Sequence, residues 1–238
     1  MIYITGDTHA HIDIGKLDEA NFPEQTKLTK DDYLIVLGDF GFVWDGGHHD
    51  KWGQDLLRSK PWTTLFIDGN HDCHPLIWEF PKKEMFGGIV REINDSIFYL
   101  ERGELYTIDG YTFLTLGGAD SIDRQYRTSG VDWWATESIR VDDYYAAINN
   151  ANELRISNQP LDFVLTHCAP DFIEPKIGEY IYKTQSSNRL GDLAYHIPPF
   201  KSWLFGHYHI DGTYHHKCFP HSAFHALYNR VIDITKCF

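Results

Sequence analysis

Five short apolar runs in this chain end abruptly in Asp, Asn or His, and that recurrence constrains the fold more than any other feature. The segments are Tyr3-Ile4-Thr5-Gly6-Asp7-Thr8-His9, Leu37-Gly38-Asp39, Asp68-Gly69-Asn70-His71-Asp72, Leu165-Thr166-His167 and Phe205-Gly206-His207-Tyr208-His209. A lone Asp-x-His carries little weight, because surface loops often contain such pairs. Five strand-like runs that each deliver a metal-competent side chain are hard to obtain by chance. In open α/β sheets, ligand sites lie at the carboxyl ends of strands. The pattern therefore predicts a sheet whose strand ends converge on one polar site.

The intervening sequence orders the chain. Ile12 to Ala20 reads as helix or loop. Asp32 to Leu37 becomes continuously apolar after its first residue, which suits a strand buried on both faces. His48 to Arg58 reads as a helix and Thr63 to Ile67 as a third strand. This alternation points to a parallel α/β arrangement. Ile97 to Leu100, Leu105 to Ile108 and Tyr111 to Leu116 are short strand candidates, the last two joined by a tight Asp109-Gly110 turn. They predict an antiparallel edge or a second sheet. Asp142 to Leu154 predicts a helix with Asp142 and Asp143 favourably placed in its first turn. Asp162 to Thr166, Trp203 to Phe205 and Ala226 to Ile234 are further strand candidates. No repeat, low-complexity tract or long linker interrupts the chain, so one domain over residues 1–238 is expected.

Composition matters mainly for what it excludes. The net charge of −13 argues against a broad nucleic-acid-binding surface, which needs clustered Lys and Arg. It leaves room for a small phosphorylated substrate, because bound divalent cations reverse the local field. No apolar run reaches the roughly 18 residues of a membrane span, and no signal-peptide pattern precedes Ile2. The expectation is a cytoplasmic protein without a membrane partner. Cys73, Cys168, Cys218 and Cys237 lack Cys-x-x-Cys spacing. Cys73 and Cys168 neighbour candidate site residues, but inert buried thiols are the simpler reading.

The order Asp-x-His, Gly-Asp, Gly-Asn-His-Asp, His, Gly-His-x-His, running from residue 5 to residue 209, resembles the calcineurin-like metallophosphoesterases. Gly117-Gly118-Ala119-Asp120-Ser121-Ile122-Asp123-Arg124 resembles a segment of their bacterial and phage-type members. The resemblance implies an α/β fold of two packed mixed β-sheets flanked by helices. It also implies two metal ions. Asp7, His9, Asp39 and His209 match the first site, Asp39, Asn70, His167 and His207 match the second, and Asp39 bridges them. Oxygen and imidazole donors without thiolate suit manganese, iron or zinc, and manganese is the expectation. Two ions about 3.5–4 Å apart would share a hydroxide that attacks phosphorus, and would neutralise transition-state charge. His71, beside Asn70 but not spent on metal, is the candidate acid. His71, Asn70 and Asp39 thus form the expected catalytic group.

The chain departs from the protein Ser/Thr phosphatase branch at Gly38-Asp39-Phe40-Gly41-Phe42-Val43-Trp44, where Phe42 and Val43 replace an Asp and an Arg. That leans toward phosphodiesters, whose single negative charge needs less cationic support. Arg124 is a candidate phosphate contact, since guanidinium forks match phosphate oxygens. Trp44 is a candidate for stacking on a base or aryl group, with core packing as the alternative. Trp133 and Trp134 share that ambiguity. His11 reads as supporting or exposed, and Asp72 as orienting a histidine or capping a turn. His215, His216, His221 and His225 read as a solvated cluster or a pocket mouth. Candidate pocket walls are Phe42 to His49, His74 to Phe86, Asp120 to Trp134 and Ile173 to Arg189. The alternatives to a phosphodiesterase are a phosphomonoesterase acting on nucleotides or small phosphates, a non-catalytic scaffold, and an amide or thioester hydrolase.

Overall fold

The continuously apolar runs become the inner strands of two sheets. The computed structural model describes residues 1–178 and 183–237. Strands β1 (Ile2–Thr5), β2 (Tyr33–Leu37) and β3 (Thr63–Ile67) are parallel neighbours, with Ile35 level with both Ile4 and Leu65. Every residue of β1 and β3 is buried, as strands covered on both faces should be. Helix α1 (His48–Ser59) joins β2 to β3, and the one-turn α2 (His74–Ile77) follows β3. β4 (Lys82–Met85) and β5 (Gly88–Asn94) form a hairpin, and β6 (Ile97–Leu100) pairs antiparallel with β5 and parallel with β3.

The second sheet opens with β7 (Leu105–Ile108) and β8 (Tyr111–Leu116), turned by Asp109 and Gly110, both at positive φ. Helix α3 (Val141–Ser157) leads to β9 (Leu161–Thr166). Then come α4 (Glu174–Ile177), α5 (Gln185–His196) and β10 (Phe200–Phe205). β11 (Gly212–His216) and β12 (Phe219–Ala226) finish this sheet, and β13 (Ile232–Asp233) returns to pair antiparallel with β1. The seven-stranded sheet runs β13-β1-β2-β3-β6-β5-β4 and the six-stranded sheet β11-β12-β10-β9-β8-β7.

The sheets bury one face against each other. Ile4, Ile35, Leu65 and Ile67 of the first meet Phe113, Phe163, Leu165 and Leu204 of the second. The outer faces are covered by α1 on one side and by α3 and α5 on the other. This is the expected two-sheet α/β sandwich.

Several elements differ from the sequence reading. β6 joins the first sheet, while β7 and β8 start the second. The β4–β5 hairpin is missed because Lys82, Lys83 and Glu84 are exposed edge residues without apolar alternation. Ile12 to Ala20 condenses only a short 3₁₀ turn, Ile14–Leu17. The expected strand from Ala226 to Ile234 is split, with Ile232–Asp233 returning as β13 after the first part stops at Ala226. Beyond it, the Asp211 carboxylate accepts the backbone N–H groups of Tyr228, Asn229 and Arg230 and holds a turn.

Candidate metal centre and active site

The carboxyl ends of β1, β2, β3, β9 and β10 meet where the two sheets face each other. Asp7 follows β1, Asp39 follows β2, Asn70 and His71 follow β3, His167 follows β9, and His207 and His209 follow β10. Hydrogen bonds lock the opposing sheets at this edge. His167 Nδ1 donates to the Leu37 carbonyl at 2.7 Å, and the His207 backbone N–H donates to the Asp7 carboxylate at 3.0 Å.

The donor atoms form two groups, each gathered within 4.8 Å: Asp7, His9, Asp39 and His209, then Asp39, His167 and His207. Asp39 belongs to both. Asn70 Oδ1 lies 3.2 Å from His167 Nε2, which puts the amide beside the second group. The close approach depends on Gly69, since a Cβ there would sit 2.1 Å from Asp39 Oδ1 and 2.7 Å from His167 Nε2. The backbone is also unusual. His9, Asp39, His207 and His209 have φ of 40°, 47°, 69° and 51°. Non-glycine residues rarely adopt this left-handed region, and strain of about 1–3 kcal/mol per residue persists where function demands a geometry.

The electrostatics tell the same story. Burial raises Asp7 to about 7, with His167 opposing and Asp39 adding. Burial also disfavours charge on Asp39, but His167 and His9 outweigh it and hold Asp39 well below the usual carboxylate range. Despite burial, Asp39 and Asp7 lift His9 to about 9 and His167 to about 10. Burial, with His167 close by, pushes His207 down to about 3. Buried carboxylates here draw positive charge onto whatever can carry it. A divalent cation answers the same demand through the same oxygen and imidazole atoms, so the residues fit a metal.

Other side chains aim these donors. His9 Nδ1 donates to Asp13 Oδ2 at 2.6 Å, leaving Nε2 3.2 Å from Asp39. The Tyr228 hydroxyl donates to Asp13 and its ring stacks on His209 at 4.8 Å. Lys16, itself buried, donates to the carbonyls of Gly6, Asp7 and Tyr228. Asn70 Nδ2 donates to Ser121 Oγ at 3.2 Å, and Ser121 donates onward to the buried Glu137 at 2.8 Å. That order of donors leaves Asn70 Oδ1 facing the cluster. Asp72 accepts the backbone N–H groups of Phe40, Gly41 and Gly69. It pins two strand-end loops instead of orienting a histidine.

His71 sits at the edge of the cluster, its backbone N–H donating to Asp39 Oδ1 at 2.7 Å. Burial lowers its ring below the ordinary imidazole range, with Asp39 opposing and Arg127 adding. Arg127 Nη1 and Nη2 lie 3.1 and 3.4 Å from the two ring nitrogens. The Asp123 carboxylate grips Arg127 through two bonds of 2.8 Å. Arg124, three residues earlier, is exposed and lines a different cavity with Lys183 and Gln185. The guanidinium at the site is therefore Arg127. Its i,i+4 spacing from Asp123 was the available sequence signal.

Trp44 is half-buried, edge-on to Trp134 at 4.9 Å, and lines a cavity with His9, His11, His49 and His71. Trp133 is also half-buried. His11 is exposed and lies 5.8 Å from the His49 ring. Phe42 and Val43 are core residues. Among the described residues His215, His216, His221 and His225 join neither donor group. They ride on β11 and β12, where His216 packs on Phe172. Cys73, Cys168 and Cys237 are buried free thiols, Cys218 is an exposed one, and none is a donor here. Of the proposed wall Ile173 to Arg189, residues 179–182 lie outside the described residues. No helix among the described residues is long and apolar enough to cross a membrane.

Comparison with known proteins agrees with this architecture. A protein of Acanthamoeba polyphaga mimivirus, uncharacterized protein L509, is 25% identical over 85% of this chain and 76% of its own. A Staphylococcus aureus structure named as a 5′-nucleotidase superposes with a TM-score of 0.52 at 12% identity, over 96% of this chain and 48% of that one. A phosphopantetheinyl hydrolase from Mycobacterium tuberculosis gives 0.45 at 16% identity, over 95% and 89%. The first of these structures shares the fold. Residues 1–211 match the calcineurin-like phosphoesterases, a family that uses divalent metals, so the chain belongs to that family and is a phosphoric ester hydrolase.

Proposed function

We propose that this chain hydrolyses phosphodiesters at a site holding two divalent ions, manganese in the working enzyme. Asp7, His9, Asp39 and His209 would hold one ion, and Asp39, Asn70, His167 and His207 the other. The observation that carries this reading is the sharing of Asp39 by two donor groups, while its Oδ1 also accepts the His71 backbone N–H. When bound, such a pair supplies Lewis-acid neutralisation of phosphoryl charge and acidifies a water nucleophile.

The rest belongs to the chain. Asp13 and the Leu37 carbonyl fix the His9 and His167 rings with Nε2 turned inward. Ser121 fixes the Asn70 amide. An anionic phosphoryl group beside His71 would offset the burial and the Arg127 charge that lower its ring, letting it hand a proton to the departing ester oxygen, and Arg127 faces the same cavity. Arg127 is also the observation that favours the second reading, a phosphomonoesterase, because a fixed guanidinium suits a dianionic phosphate. Its two bonds to Asp123 leave the pair with no net charge, however, which suits a monoanionic diester better. Candidate substrates are nucleotides and nucleic-acid ends. The unpaired thiols are those of a reducing, cytoplasmic setting.

The test is turnover of an aryl phosphodiester against the matching monoester by manganese-loaded protein, with Asp39→Asn as the blank. Diester turnover exceeding monoester turnover, and absent from the blank, is expected. Turnover of the monoester alone overturns the diester assignment and makes Arg127 the phosphate anchor.

A further inference from the structure

His71 stands between two cavities, each of about 280 Å³. One carries the polar side chains of Asn70, Asp123, Arg127, His207 and Tyr208. The other is walled mainly by apolar and imidazole atoms, from His9, His11, Ile12, Trp44 and His49. His9 belongs to the metal-competent cluster, so this second cavity opens directly onto the reacting centre. We infer that it is a binding subsite for an aromatic ring, a nucleobase or aryl group, carried on one ester arm of the substrate, with Trp44 as its stacking face. The inference rests on the phosphoester reading above.

Three features support it. The volume is ample, since a closed apolar cavity of about 150 Å³ already accepts benzene. Trp44 is held in place before any ligand arrives. Asp50 Oδ2 accepts the backbone N–H groups of Trp44, Asp45 and Gly46 at 2.8, 3.0 and 2.8 Å, and Trp134 fixes the indole edge. A preset wall spares the ordering cost of binding. Finally, Asp50 is buried with its Oδ2 committed to those three donors, and Asp45, the other carboxylate lining the cavity, is exposed to solvent with Oδ1 accepting the Gly47 backbone N–H. Apart from Asp45 and Asp50, the side chains lining the cavity are rings and aliphatic groups, which bind a flat apolar face by stacking and area burial.

Calorimetric titration of manganese-loaded protein with phenylphosphonate and with methylphosphonate tests this. The two probes share the metal-seeking head and differ only in the ring, so neither cleavage nor the identity of the leaving group enters. Wild-type protein should bind phenylphosphonate about tenfold more tightly or better. Trp44→Ala should erase that preference without weakening methylphosphonate, and Trp44→Phe should keep it. Equal wild-type affinities overturn the subsite while leaving the phosphoester reading intact, and this comparison stands even if Trp44→Ala does not fold. A preference that survives in folded Trp44→Ala also overturns it. Binding of neither phosphonate by metal-loaded protein overturns the subsite together with the reading beneath it.

Discussion

Two buried polar clusters flank the end of β3, and they are built on opposite principles. In the first, Asp68 is surrounded by its own chain. Arg102 Nε and Nη2 grip its carboxylate, the Tyr99 hydroxyl donates to it at 2.8 Å, and His74 Nε2 stands 2.7 Å away, though off-line for a hydrogen bond. Arg102 then reaches Asp143 and the carbonyls of Thr136, Glu137 and Ser138. With Arg140 on Asp143 two carboxylates face two guanidiniums, every nitrogen of the Arg102 guanidinium is occupied, and none of these residues has positive φ. In the second, among the described residues, Asp7 and Asp39 have no Arg or Lys side chain on their carboxylates, only imidazoles and backbone N–H groups. Four of its residues sit on left-handed backbone. Equal burial therefore marks two different things. A cluster that neutralises itself on relaxed backbone is a brace, whereas one that leaves carboxylates facing imidazoles on strained backbone is set for an external cation.

The sharpest break between them is a matched pair of substitutions. Asp7→Asn should lower phosphoesterase activity by on the order of 10³-fold yet leave the thermal stability of metal-free protein nearly unchanged, because burial, with Asp39 adding, already pushes the Asp7 carboxyl up to about 7. Equal destabilisation at both sites would erase the distinction. Asp68→Asn should do the reverse on folding and destabilise by about 3–5 kcal/mol, read by urea denaturation, since it strands the Arg102 charge in the interior.

Acid should act on the brace with the same sign. Burial opposes the ionised forms of Asp68 and Asp143, yet Arg102 with His74, and Arg140 with Arg102, hold them below the usual carboxylate range. Their contribution is fully present above the unfolded carboxylate pKa of about 4 and is lost as the pH falls below it. A urea midpoint that does not drop between neutral pH and the acid range would contradict this.

A smaller effect sharpens the metal side. Ser121→Ala removes the acceptor that turns Asn70 Oδ1 inward and should weaken one of the two bound ions by about 10–100-fold. Ser121→Thr should restore it, as metal titration would show. Uniform weakening of both ions would make Ser121 a general packing residue. Arg124→Ala should change least. It is exposed and away from His71, so activity should hold and stability should stay within about 0.5 kcal/mol. A large loss of activity would return Arg124 to the site.

Much of this was legible beforehand because the site is written at strand ends. Continuous apolar runs identify buried strands, and the residue that breaks each run is the one delivered to the edge. The loops were less legible. Arg124 and Arg127 are equivalent as residue types, and only the fold of residues 120–134 decides which one turns toward His71. Ser121 and Glu137 are sixteen residues apart and look unremarkable in sequence until the hydrogen bond between them is seen. The edge hairpin β4–β5 escaped because exposed strands need no apolar alternation.

The sequence by itself determined the sheet class, the inventory of Asp, Asn and His donors and the strand ends that carry them, because burial and backbone pairing are enforced along each run. Only the tertiary structure decided which donors share Asp39, which buried Asp is braced by Arg102 and which is left open, and which arginine and tryptophan wall the site. Those choices depend on distances between strands of two different sheets. Neighbours along one chain do not encode such distances, which packing of the whole sets to within a fraction of an ångström.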